Sequence, residues 1–233
     1  KEAAIVQEAA FGLLQQDWPR SEYPTIVVTN TLSWPRTGMV KVFIDKALLS
    51  IGQSFQILEN GRSPVAAQLW KSGHDGNWWA FSVEEMPAFS WRAYTLKVGA
   101  AEEAYAAPVD TTGVLETYGY RITVDPKRGG VTSLWSNAHQ LEMLDPNSEW
   151  AFGQLIHEKL ANRWQLEQFK LTDFERIGIT DLELFPGTDG PLWKSIVLRG
   201  SSEIAPENHG VEIEIRSYKK DHLLEFRYRI RKR

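Results

Sequence analysis

The stretch Val211-Glu-Ile-Glu-Ile-Arg-Ser-Tyr-Lys-Lys-Asp-His-Leu-Leu-Glu-Phe-Arg-Tyr-Arg-Ile230 decides the fold class. Val211, Ile213 and Ile215 alternate with Glu212, Glu214 and Arg216. Leu224, Phe226, Tyr228 and Ile230 alternate with Glu225, Arg227 and Arg229. A period of two marks strands with one buried face. A turn centred on Lys220-Asp221 sets Arg216 opposite Glu225, Glu214 opposite Arg227 and Glu212 opposite Arg229. Every charged pair is then opposite in sign. The other face pairs Ile215 with Phe226, Ile213 with Tyr228 and Val211 with Ile230. Such pairs contribute roughly 0.2–1 kcal/mol each. A slip of one residue would drive the charges into the core, so the register is strongly specified. The basic end, Arg227–Arg233, reads as a solvated strand face rather than a nucleic-acid site, because acids face it.

Upstream, the β pattern continues back to Pro24. Short strands are predicted over Thr25–Thr29, Gly38–Ile44, Ser54–Leu58, Pro64–Trp70, Trp78–Val83 and Ala93–Val98, with Asn60-Gly61 as a hairpin turn. Six strands with turns between them suggest a small sandwich. Gly99–Thr112 is rich in Ala, Glu, Pro and Thr and reads as a linker or long crossover. A second set opens with Leu115–Val124 as one strand. Asp125-Pro-Lys-Arg-Gly-Gly130 turns the chain, and Val131–Trp135 returns. Phe152–His157 and Trp193–Leu198 are further strands, and Asn162–Asp173 is ambiguous. Lys1–Gln16 reads as a helix with apolar residues at Ile5, Val6, Ala9, Ala10, Leu13 and Leu14, stopped by Asp17-Trp18-Pro19. So apolar a helix needs a partner: the sandwich, or an upstream helical bundle of which it is the end.

The 233 residues carry 42% hydrophobic residues, enough for a sizeable core. A net charge of −4 argues against a nucleic-acid binder. The absence of cysteine excludes thiolate metal sites and nucleophiles without fixing a compartment. No apolar run approaches the ~20 residues of a membrane span, so no membrane partner is expected. The chain does not begin with Met and reads as starting internally.

Candidate chemistry is sparse. None of His74, His139, His157, His209 and His222 has the spacing of a helical metal pair. His157-Glu158 begins like a zincin helix, but Ala161 stands where the second ligand belongs. His74-Asp75, in a Gly-rich turn, has too few ligands for more than weak cation binding. Paired carboxylates would suit glycoside hydrolysis. The available ones are Glu84-Glu85, Glu102-Glu103 and Asp181/Glu183. Neighbours on a strand point to opposite faces, so Glu84 and Glu85 should not converge on one bond. Arg128-Gly129-Gly130 is a hairpin turn, not a phosphate loop. The ten tryptophans serve core packing or sugar stacking. Exposure of Trp78 and Trp79 would favour stacking, and burial of both would count against it.

Several phrases, in order, resemble a known family. They are Val27-Val-Thr-Asn-Thr-Leu-Ser-Trp34, Val65-Ala-Ala-Gln68, Met86-Pro87 through Tyr94, Tyr120–Leu134, Asp189-Gly-Pro-Leu192 and Val211–Arg231. Together they look like the C-terminal β-sandwich region of glycoside hydrolase family 38, the retaining α-mannosidases. The resemblance implies an Asp nucleophile and a divalent metal, usually zinc, on an N-terminal barrel-like domain, followed by a helical bundle and β domains. None of that barrel's motifs matches here, so no catalytic or metal residue is assigned to this chain.

The resulting expectation is an all-β protein: an antiparallel β-sandwich and supersandwich, galactose mutarotase-like, with a short N-terminal helix. Residues 1–20 end a bundle, 21–98 form a small sandwich, 99–113 a linker, and 114–233 part of a larger supersandwich. The expected function is non-catalytic support, and partial walling, of the active site of an α-mannosidase acting on α-mannosides or related glycans. The partner is then the N-terminal catalytic domain of the same polypeptide. The alternatives are a carbohydrate-binding module using surface Trp residues, a structural interaction domain, and a mutarotase- or lyase-like enzyme. The last would use His157 with Glu183.

Overall fold

Alternation along each strand decides which side chains reach a core, and it does so in two separate compact units, 1–103 and 104–233. The structure is a computed structural model and describes residues 2–18, 20–99, 107–108, 112–168 and 173–231.

The first unit begins with α1 (Glu2–Leu14), continued by a 3₁₀ turn, Gln15–Asp17. Trp18 is already extended, as the residue before a proline prefers. Ile5, Val6, Leu13 and Leu14 remain exposed on this helix, so the sandwich does not cover them. Seven strands follow: β1 (Thr25–Asn30), β2 (Arg36–Asp45), β3 (Phe55–Glu59), β4 (Ser63–Val65), β5 (Ala67–Ser72), β6 (Gly76–Met86) and β7 (Ser90–Val98). They form a four-stranded sheet, β1-β7-β3-β4, and a three-stranded sheet, β2-β6-β5. Ile57, Tyr94 and Leu96 of the first sheet meet Ile44, Phe81 and Val83 of the second in one core. The Pro64–Trp70 strand expected from sequence is in fact two. Ser63–Val65 joins one sheet and Ala67–Ser72 the other, so the chain crosses the sandwich at Ala66. At the Asn60-Gly61 turn both residues have positive φ, 50° and 70°, as the expected hairpin turn requires.

In the second unit, β8 (Ala107–Pro108) is the one described piece of the expected linker that pairs. It adds to the edge of β15. Residues 100–106 and 109–111 of that linker lie outside the described residues. The remaining strands are β9 (Val114–Glu116), β10 (Tyr120–Asp125), β11 (Gly130–Ser136), β12 (Leu141–Glu142), β13 (Ile156–Leu160), β14 (Phe174–Gly178), β15 (Glu183–Asp189), β16 (Trp193–Gly200), β17 (Val211–Tyr218) and β18 (Leu224–Ile230). The main sheets are β12-β11-β10-β9 and β18-β17-β16-β15-β8, with β13-β14 as a separate ribbon. Leu115, Ile122, Val131 and Leu134 from one main sheet pack with Ile196, Leu198, Val211, Ile213 and Ile215 from the other.

The single strand read over Leu115–Val124 is a tight hairpin instead. Ile122 pairs back on Leu115, and the Thr117 amide donates to Tyr120 O at 3.0 Å. The strand read over Phe152–His157 begins at Ile156, and Phe152 makes only an isolated bridge to Val131. Within Asn162–Asp173 only α2 (Trp164–Glu167) is helical among the described residues. The Asp125–Gly130 turn forms as expected. Lys127 N donates to Asp125 Oδ1 at 2.9 Å, and Gly129 takes φ 68° where a Cβ would collide with Ile179 O. The β17–β18 register is that read from sequence: Val211 opposite Ile230, Glu214 opposite Arg227, Arg216 opposite Glu225.

Candidate functional site

Two surfaces collect side chains capable of recognition. The first lies on the outer face of the β2-β6-β5 sheet. Phe43 and Trp78 are direct cross-strand partners, with ring centroids 5.5 Å apart. Trp70 meets Trp78 edge-on at 6.2 Å. A bulge brings it there: Leu69 opposes Trp79 and Lys71 opposes Trp78, so Trp70 is the extra residue. Lys41, two residues before Phe43, reaches across the buried Ala80 and stands 4.3 Å over the Trp70 ring. Phe43 is 40% and Trp78 37% exposed. Alternation sends Trp79 to the other face, where it packs edge-on against Phe55 at 4.7 Å beside the core. The adjacent tryptophans thus divide between stacking surface and core.

The second surface is the polar face of β15–β18. Glu183, Arg199, Glu212 and Arg229 are successive cross-strand partners. Glu212 accepts from Arg199 Nε at 2.8 Å and Arg229 Nη1 at 2.9 Å, so both its oxygens are engaged. Phe185 carries Arg199 over its ring at 4.9 Å and His209 at its edge at 5.2 Å. His209 Nε2 lies 3.9 Å from Glu183 Oε2, too far for a hydrogen bond. Further along this face Arg216 is buried. Its guanidinium grips Glu214 and lies 4.8 Å over the Trp193 ring. Burial, then the hydrogen bond to Glu225, push the Tyr218 hydroxyl well above the ordinary tyrosine range. Among Arg199, Glu212, Arg229, Glu214, Arg216 and Arg227 this face is a charge ladder whose members bond one another.

The His157–Glu183 pair that the mutarotase- or lyase-like alternative would use does not form. His157 lies on β13 opposite Ile177, and the histidine facing Glu183 is His209. Because His157-Glu158 is on a strand, its zincin-like start has no helix, and Glu158 accepts from Arg176 Nε at 2.6 Å. Asp75 is held by Lys46 at 3.2 Å and His74 at 2.9 Å rather than left open for a cation. Among the described residues, no three His, Asp or Glu side chains group as a metal site.

Glu84 and Glu85 break the alternation assumed for them. Both stand in a bulge opposite Thr37, Glu85 has φ 46°, and Arg92 donates to their carbonyls at 2.8 and 2.9 Å. The bulge is locked from below, and both carboxylates face solvent. Asp181, at φ 54°, accepts from Thr180 Oγ1, its own neighbour, at 3.1 Å. Glu102-Glu103 lie outside the described residues. Arg128 donates to Ser148 O and Glu149 O, which ties down the turn as structure.

Sequence reasoning missed Phe43, Trp70 and Lys41 around Trp78. The parity of Lys41 and Phe43 was readable in the β2 pattern. The bulge that adds Trp70 was not.

No family model matches the sequence, and no curated protein matches it. Solved structures do. An α-mannosidase from Enterococcus faecalis V583 aligns over 95% of this chain and 32% of its own, at 15% identity and TM-score 0.56. A protein in the glycosyl hydrolase family 38 from Enterococcus faecalis aligns over 91% of this chain and 31% of its own, at 17% identity and TM-score 0.52. The likeness is one of fold. The chain spans about a third of the length of each of these neighbours.

Proposed function

We propose that this chain is a non-catalytic β region of a retaining α-mannosidase of the family 38 kind. In this reading it supports and partly walls an active site carried by an N-terminal catalytic domain of the same polypeptide. The observation that carries the reading is the fold likeness over 95% of the chain to a protein three times its length. The ordered family-like phrases from Val27 to Arg231 add to it. The described residues do not fit a zinc site, since no set of three ligating side chains groups together. In this reading a metal serving the reaction belongs to the catalytic domain, as the family resemblance implies, and no catalytic step is assigned to residues of this chain. The test is hydrolysis of an aryl α-mannoside by this chain alone and by the longer polypeptide containing it, each with zinc and then with chelator. Chelator-sensitive activity in the longer polypeptide, with none in the chain, is the expected result. Activity in the chain alone, or none in either, overturns the reading.

A second reading, saccharide binding through surface tryptophan, is favoured by the exposed face of Trp78. The mutarotase-like alternative loses its proposed pair, because His157 and Glu183 have other partners.

A further inference from the structure

We infer that the row Phe43–Trp78–Trp70 is a saccharide-binding site. This goes beyond the mannosidase reading and does not depend on it. The rings come from three adjacent strands and cross the sheet at right angles to them, a span of about 10 Å at the usual strand spacing. They are inclined rather than coplanar. Phe43 makes 52° and Trp70 75° with Trp78.

The strand backbone sets the row. The β5 bulge spends one ladder position to place Trp70 beside Trp78. At the other end Gly76 lets the β2 backbone approach, since a Cβ there would collide with Ile44 O, with Phe43 Cζ next at 2.8 Å. The flanks are polar. Lys41 covers Trp70. Lys46, His74 and Asp75 form an exposed cluster beside Gly76, and Asp45 is Gly76's cross-strand partner.

The occupant follows from this mixture. A pyranose has an apolar C–H face that lies on an aromatic ring and an equator of hydroxyls that need donors and acceptors. Inclined aromatic rings edged by an ammonium, an imidazole and carboxylates supply both. A protein partner is disfavoured by area. At these exposures the rings offer on the order of 200 Å², given 150–250 Å² for a whole aromatic side chain. A stable protein interface takes about 800 Å² per partner. An oligosaccharide needs only the smaller patch.

The experiment is a glycan array probed with the full 233-residue chain, followed by fluorescence titration of the strongest hit. Binding to at least one glycan class is expected. Trp78→Ala and Phe43→Ala should each raise Kd about tenfold or more, the scale of losing a central aromatic anchor. Trp34→Ala, which removes an exposed tryptophan outside the row, should leave Kd unchanged. Circular dichroism melts identify any variant that loses binding by unfolding. For such a variant Trp78→Leu, which keeps an apolar side chain but no ring, takes its place, and undiminished affinity there counts against the site. A blank array overturns the inference, as does wild-type affinity in folded Trp78→Ala. A self-association seen by size exclusion that Trp78→Ala abolishes, with the array blank, also overturns it and makes the row a contact between copies.

Discussion

Glu214 and Arg216 stand two residues apart on β17 and form a two-pronged ion pair, Nε to Oε1 at 2.8 Å and Nη2 to Oε2 at 2.9 Å. Glu214 Oε2 also accepts from Arg227 Nη1, its cross-strand partner, at 3.3 Å. The pair along the strand is therefore shorter and more buried than the pair across it. Double-mutant cycles should rank them accordingly. Coupling of Glu214 with Arg227 should be about 0.5–1 kcal/mol, as for partly exposed pairs. Arg216→Ala should cost about 3 kcal/mol in urea unfolding, because it leaves Glu214 and Glu225 short of their buried counter-charge. Equal couplings in the two cycles would contradict the geometry.

Asn30 is buried at the end of β1, and its amide joins two loops. Nδ2 donates to Trp34 O at 2.9 Å, Met86 O at 3.1 Å and Pro87 O at 2.9 Å, while Oδ1 accepts from Leu32 N at 3.1 Å. Asn30→Ala should destabilise by about 2 kcal/mol through unsatisfied buried carbonyls. Asn30→Asp should be worse than Asn30→Ala, since it turns a carboxylate oxygen toward three carbonyl oxygens. Chemical denaturation of both variants checks the order.

Acid should weaken the second unit through Glu142. Burial raises its pKa. Hydrogen bonds from Ser133 Oγ and from the amides of Leu134 and Leu144 outweigh that and hold it below the ordinary value of 4.5. A lowered carboxylate pKa gives stability that is present above the unfolded value and lost as pH falls through the folded one. The stability gap between wild type and Glu142→Gln should thus be full at pH 7 and shrink below pH 4.5. A gap that grows on acidification would reverse the assignment.

Base should act through Tyr94, Tyr218 and Tyr228, whose pKa values burial raises above 10.0. The folded state keeps these protons after the unfolded state has released them. Stability is therefore unaffected below pH 10 and falls as pH rises beyond it. Absorbance titration should show these tyrosines ionising above pH 10, together with unfolding. Tyr218→Phe should remove part of that alkaline loss.

Phe89, 74% exposed, holds φ 47° in the β6–β7 turn, where a bulky side chain is strained. Phe89→Gly should stabilise the first unit by about 1 kcal/mol, the scale of left-handed strain in an L-residue. A higher Tm by calorimetry is the expected readout.

Local pattern carried much of the fold. The β17–β18 register was legible because two independent signals, apolar parity and charge sign, had one common solution. The Asn60-Gly61 and Asp125–Gly130 turns were legible because few residues accept positive φ. The split of Pro64–Trp70 was not legible. Ala66 carries no breaker signal, and the strand divides because two sheets compete for its halves. The hairpin inside Leu115–Val124 left a trace that the reading passed over: apolar parity shifts from Leu115 to Tyr120, Ile122 and Val124 across Thr117-Tyr118-Gly119, where the backbone reverses.

The candidate site divides along the same line. Sequence alone determined that no close-spaced metal motif is present, and its β2 parity put Phe43 and Lys41 on one face although neither was singled out. Only the tertiary structure decided that Trp70 joins Trp78, that Trp79 rather than Trp78 goes inward, and that Glu183 faces His209 instead of His157. The reason is physical. Side-chain parity is set by bond geometry within a few residues. Strand partnership is set by pairings dozens of residues apart, which local periodicity permits without specifying.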